Sequence, residues 1–265
     1  MSYPQGCIVI TAAGDIPLLR EVRNAKFVSR RQLFWLLNGA APLNPNTFTT
    51  RLRRLLDREY LRALPDVFWH GSAVYSVTHR GLMELESHGE FCVALHSATR
   101  HMPHPLHVYH ALELTEIRLT MLRSSLLSGW ESELEIASSN LVSARFQKDY
   151  DAVVKIWSGE QIREFALEYE RSLKAARRYA RIRQALESER GVGAVLYLTA
   201  SPDLMFALLY HLTPISKPLA FATAYQFRQH LLATPVLTDP RRRSVTLEQF
   251  LATASVAPAA FAQAR

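Results

Sequence analysis

Residues 150–185 read YDAVVKIWSGEQIREFALEYERSLKAARRYARIRQA, and the fold of the chain around them turns on this stretch. Asp151-Ala-Val-Val-Lys-Ile-Trp157 is apolar and β-branched, Ser158-Gly159 is a turn signal, and Arg163 to Tyr169 alternates and then runs apolar. That is the pattern of a hairpin with a partly buried second strand. A charged segment from Arg171 to Ser188 follows with helical spacing. In an antiparallel pair the start of one strand neighbours the end of the next, so Asp151 and Glu168 are expected to converge on one edge. Paired carboxylates on rigid strands suit Mg²⁺ or Mn²⁺, hard cations that take few protein ligands. Acids at strand ends are also often only solvated.

Outward from the hairpin, Leu106 to about Leu127 spaces Leu112, Ile117 or Leu119, and Leu122 as a long helix carrying Glu113 and Glu116, and a strand is expected near Glu133 to Ala137. Val192 to Thr199 reads as a buried strand, giving the order αβββαβ, with Val153, Val154, Phe165, Leu167, Val195 and Leu196 facing the core. A helix over 202–212, a strand over 218–225 and a helix over 226–232 complete this part. His104, His107 and His110 are spaced by three, but Pro103 and Pro105 interrupt any continuous metal-binding stripe that would include His101.

Toward the N-terminus, Ser29 starts a helix that stops at Asn38-Gly39, and Asn44-Pro45 starts another with Phe48, Leu52, Leu55 and Leu56 on its core face. Asn46, Thr50, Arg53 and Arg54 fall on the opposite face, with Arg51 and Arg58 beside it; such side chains reach phosphates and base edges in a major groove. Two short strands, 60–64 and 73–78, and a helix from His79 follow, which is the order of a winged helix-turn-helix. The expected domains are therefore a winged helix over 16–90, a linker over 91–105, a sheet domain over 106–250 and a loose tail over 251–265.

The chain has 265 residues, 48% hydrophobic and 21% charged, with a net charge of +7, which favours an anionic partner, double-stranded DNA foremost. Cys7 and Cys92 make neither a disulfide framework nor a thiolate zinc site, and no run has the length of a membrane span, so a cytoplasmic protein without membrane contact is expected.

Arg51-Leu-Arg-Arg-Leu-Leu-Asp-Arg-Glu-Tyr60 followed by Val74-Tyr-Ser-Val-Thr-His-Arg-Gly-Leu82 resembles bacterial winged-helix regulators, and the αβββαβ order is similar to the core of PD-(D/E)xK nucleases. In those an Asp on the second strand and a Glu on the third hold the metal. Here Tyr150-Asp151 stands for Pro-Asp, Glu168-Tyr169-Glu170 stands for (D/E)-x-K, and Glu170 replaces the lysine, with Lys174 as the relocated cation. Together with His110 and Glu116 on the long helix, Ala166 to Lys174, and the strand Val195 to Thr199, residues from about 27 to 212 resemble the replication-relaxation family of plasmid and integrated-element proteins. That resemblance implies a DNA-binding role in replication, relaxation or mobilisation. It makes Asp151, Glu168 and Lys174 the catalytic set, with Glu116 supporting a metal water, for Mg²⁺- or Mn²⁺-dependent nicking. Arg171, Arg178 and Arg181 form a phosphate-contacting stripe. The other reading is a transcriptional regulator, a homodimer, whose nuclease-like domain serves for dimerisation or DNA contact.

Overall fold

The computed structural model describes residues 10–40, 42–93, 103–239 and 244–254, and the chain is mixed α+β. It divides into two compact units, one up to Leu119 and one from Thr120.

The first unit begins with helix α1 (Asp15–Ala25), which buries Ile16, Leu18, Leu19 and Val22. Strand β1 (Val28–Ser29) leads into α2 (Arg30–Ala40). Ser29 and Gln32 close that junction reciprocally: the Gln32 N–H donates to Ser29 Oγ (3.2 Å) and the Ser29 N–H to Gln32 Oε1 (3.0 Å). Helix α3 (Pro45–Asp57) is capped by the Asn44 side chain, which accepts from the N–H groups of Asn46 and Thr47, and it buries Phe48, Leu52 and Leu55. Strands β2 (Leu61–Trp69) and β3 (Ser72–Val77) form a hairpin, and β1 pairs with β3 to give the order β1-β3-β2. Its two-residue loop, His70-Gly71, has φ of 48° and 75°, the positive values a tight hairpin turn demands. Helix α4 (His79–Ser87) starts on Thr78, whose Oγ accepts from the Gly81 N–H (3.1 Å). A Cβ at Gly81 would stand 2.3 Å from the Tyr60 carbonyl oxygen, so only glycine fits there. Helix α5 (Pro105–Arg123) packs Val108, Ala111 and Leu112 against Phe27, Leu64 and Val74.

Two expectations change here. The division at 119/120 falls inside α5, so most of this helix belongs to the first unit and the expected linker over 91–105 does not precede the second; residues 94–102 lie outside the described ones. The strand expected over 60–64 also runs on to Trp69, across a register shift between Ala63 and Phe68.

The second unit holds a five-stranded sheet, β4 (Leu127–Ser132), β5 (Ala152–Ser158), β6 (Gln161–Glu170), β7 (Val195–Thr199) and β8 (Leu219–Thr223), in that spatial order. The first three run antiparallel, and β6, β7 and β8 run parallel. Helices α6 (Glu133–Ser143), α7 (Ala176–Ser188) and α8 (Pro202–Leu212) bring Ile136, Tyr179, Leu186, Leu204 and Leu208 onto Val153, Ala166, Val195, Tyr197 and Phe221. On the other face, Met121 and Ile156 meet Phe227 of α9 (Ala224–His230) and Leu247 of α10 (Leu247–Ala254). A short pair, β9 (Pro235–Val236) with β10 (Val245–Thr246), precedes α10. With both faces covered, the last six residues of β6 are all buried, which explains the apolar run with two glutamates inside it. Val153, Val154, Phe165, Leu167, Val195 and Leu196 are each no more than 2% exposed.

The strand expected over 133–137 is instead α6, inserted between β4 and β5. Ser132 and Glu135 form a capping box, with Glu135 Oε2 accepting from the Ser132 N–H (2.8 Å) and hydroxyl (2.6 Å). The helix expected from Arg171 begins at Ala176. Residues 251–254 of the expected loose tail belong to α10, with Leu251 fully buried, and 255–265 lie outside the described residues.

Candidate functional site

Leu167 pairs with Ala152, so the next step of the β5–β6 ladder sets Asp151 beside Glu168, as the hairpin spacing predicts. Asp151 Oδ2 accepts the Tyr169 N–H at 2.7 Å, tying the start of β5 to the end of β6. Across the parallel pair, Glu168 stands opposite Tyr197 and Glu170 opposite Thr199. Glu168 and Glu170 are each only 5% exposed, and each is joined to a lysine: Lys148 donates to Glu168 Oε1 and Lys174 to Glu170 Oε1. Burial pushes the Glu168 carboxyl up to about 7; the Lys148 ammonium is the main force holding it down, and the Asp151 charge adds to the rise.

Lys148 is itself positioned. Its ammonium lies 4.8 Å from the ring centroid of Tyr150, which is fully buried. The Tyr150 hydroxyl donates to Glu189 Oε2 (3.0 Å), and the same carboxylate accepts the N–H groups of Gln147 (2.9 Å) and Gly191 (2.5 Å). Glu189 thus ties the loop that carries Lys148 to the turn after α7. Tyr197 is 1% exposed and its ring stacks on Phe221, 5.4 Å between centroids. Its hydroxyl is buried without a hydrogen-bond partner among the described residues. Burial, and then the Glu168 charge, hold this phenol well above its ordinary value, so it stays a donor.

The structure brings Asp151 and Glu168 together and gives them Lys148 and Tyr197, which the sequence spacing did not mark. Lys174 lies in the loop before α7 rather than on it; its N–H donates to the Tyr179 hydroxyl (3.0 Å) and its ammonium goes to Glu170. Glu116 belongs to the first unit, where its Oε1 accepts from Gln32 Nε2 (2.9 Å) and Trp69 Nε1 (3.2 Å). Among the described residues no group of three or more His, Cys, Asp or Glu side chains is placed to hold a metal, His104 and His107 included. Asp151 and Glu168 offer two acidic side chains, of which Glu168 is already in an ion pair with Lys148 and Asp151 accepts the Tyr169 N–H.

Asn46, Thr50 and Arg53 on α3, and Arg58 just after it, are exposed. Arg54 is not on that face. Its Nη2 lies 2.5 Å from both carboxylate oxygens of Asp15, which is fully buried and also accepts the Thr11 N–H and hydroxyl at 2.9 Å. Arg51 is half-buried over Gly14, where an added Cβ would come within 2.6 Å of Arg51 Cζ. Arg178 and Arg181 are exposed on α7, whereas Arg171 is half-buried and precedes it. Among the described residues no helix is long and apolar enough to cross a membrane.

Compared with family models, with curated proteins and with solved structures, the chain finds no match in any of the three.

Proposed function

We propose that the chain is a double-stranded DNA-binding protein of a plasmid or mobile element, of the replication-relaxation type, acting in replication, relaxation or mobilisation. Its first unit serves as a winged helix-turn-helix and its second as a nuclease-like domain of PD-(D/E)xK type that nicks DNA with Mg²⁺ or Mn²⁺. The observation that carries this is the adjacency of Asp151, the residue before β5, and Glu168 on β6, with a lysine on Glu168. On the DNA-binding side, α3 supports it: a capped helix that exposes Asn46, Thr50 and Arg53 and runs into the β2–β3 hairpin, in a chain of net charge +7.

Asp151 and Glu168 would hold the cation, whose chemistry is to lower the pKa of a bound water and to offset charge on the phosphate. The chain's own residues orient the ends of β5 and β6, keep the cluster largely dry and place ammonium groups beside it. Arg178 and Arg181, exposed on α7, add a basic stripe for the DNA backbone. A regulator whose second unit only dimerises or holds DNA is the alternative. The ion pairs on both Glu168 and Glu170 favour it, since they already neutralise the two buried acids.

Binding is tested by fluorescence anisotropy on duplex DNA over a range of salt. Arg53→Ala should weaken affinity and flatten the salt slope by about one unit, since one phosphate contact releases roughly one counterion. Unchanged affinity and slope would remove α3 from the interface.

A further inference from the structure

We infer that the outer face of α7 and α8 in the second unit binds single-stranded DNA, with exposed arginines of α7 on its phosphates and exposed rings of α8 stacked on its bases. This deepens the reading of α7 as a contact for the DNA backbone and rests on it, and it draws on neither α3 nor the acidic pair. On α7, Arg177, Arg178 and Arg181 are exposed, and among the described residues none of them is in an ion pair. Spacings of three and four residues set them on one side of the helix. On α8, Phe206 and Tyr210 are 56% and 79% exposed, and their spacing of four likewise places both rings on one side. The other side of α8, with Leu204, Leu208 and Leu212, is buried in the core.

The two helices meet through a row of rings. Tyr179 of α7 stacks on His211 of α8, with 4.8 Å between centroids and 9° between planes, and His211 meets Tyr210 edge-on at 5.7 Å. Burial raises the Tyr179 phenol while the Arg178 guanidinium acts to lower it, so that positive charge stands by the same row. Acids are confined to the helix ends, with Asp203 in the first turn of α8 and Glu187 in the last turn of α7. This pairing of residue types selects the occupant. Unpaired arginines suit an anionic chain. A duplex offers phosphates but keeps its bases stacked on one another, which would leave the two large rings of α8 in water. An unpaired strand offers phosphates and bases together, and each base can stack on a ring.

The test is fluorescence anisotropy on the full chain with a labelled oligothymidylate of about 20 nucleotides, long enough to cover a site, and with a duplex of the same length, both over a range of salt. Wild type is expected to bind the single strand. Phe206→Ala and Tyr210→Ala are each expected to weaken that binding about tenfold and to leave duplex affinity unchanged, whereas Tyr210→Phe, which keeps the ring, binds like wild type. Arg178→Ala/Arg181→Ala should weaken single-strand binding and flatten its salt slope by about 1.4 units, roughly 0.7 for each phosphate contact. All these side chains are exposed, so the variants should fold, which circular dichroism checks. A wild type that does not bind the single strand would overturn the inference. Alanine variants of the rings that bind like wild type, with the arginine variant weakened on both DNAs, would overturn it too and leave α7 as a contact for the duplex backbone. An arginine variant that matches wild type on both DNAs would overturn the inference and that reading of α7 together.

Discussion

At the scale of single residues, the contacts of Arg54 and Glu168 each lead to a measurable difference. Arg54 holds a fully buried Asp15, so Arg54→Ala should act on folding rather than on DNA contacts. Removing one partner of such a pair leaves a buried charge, and with Arg54 itself partly exposed the loss should be about 2 to 4 kcal/mol by chemical denaturation. Wild-type stability with weakened DNA binding would mean that Arg54 faces the nucleic acid after all. Glu168 has a folded-state pKa raised from an ordinary 4.5 to about 7. Its neutral form is the one the fold prefers, so its contribution is fully present below 4.5 and is lost as pH rises through 7. The stability of wild type relative to Glu168→Gln should therefore fall between pH 5 and 8, by on the order of 2 kcal/mol. A constant difference across that range would show that Glu168 is charged throughout. Neither contact was legible in the sequence: Asp15 lies 39 residues from Arg54, and Lys148 lies 20 from Glu168, separations that helical or strand periodicity does not report.

At the scale of elements, the hairpin β5–β6 was readable because its β-branched run and Ser158-Gly159 turn agree with each other and with a sheet that buries both faces. The helix α6 was not, because Glu133-Leu-Glu-Ile-Ala137 alternates polar and apolar like a half-buried strand; the better signal was the Ser132-x-x-Glu135 capping box. The late start of α7 had no sequence marker either. Its N-cap, Ala175, makes no side-chain cap bond, and the turn is closed instead by the Lys174 N–H on the Tyr179 hydroxyl. Leu167→Asp, at a fully buried position in the middle of the sheet, should cost several kcal/mol and unfold the second unit, read by circular dichroism. In the first unit, Gly81→Ala drives a Cβ onto the Tyr60 carbonyl and should cost about 1 to 3 kcal/mol. Near-wild-type melting of either variant would contradict the packing described for it.

At the scale of the whole molecule, a unit with an exposed, polar and arginine-bearing helix is joined, in one chain of net charge +7, to a unit whose sheet places two carboxylates side by side. The proposal unites them as DNA binding and strand cutting. The measurement that tests it most directly is nicking of supercoiled plasmid in Mg²⁺ or Mn²⁺ by wild type, Asp151→Ala and Glu168→Ala, each checked to be folded. Cation-dependent nicking by wild type that is lost in both variants is the predicted result. Cleavage that survives in folded Asp151→Ala, or no cleavage by a wild type that binds the plasmid, would contradict it.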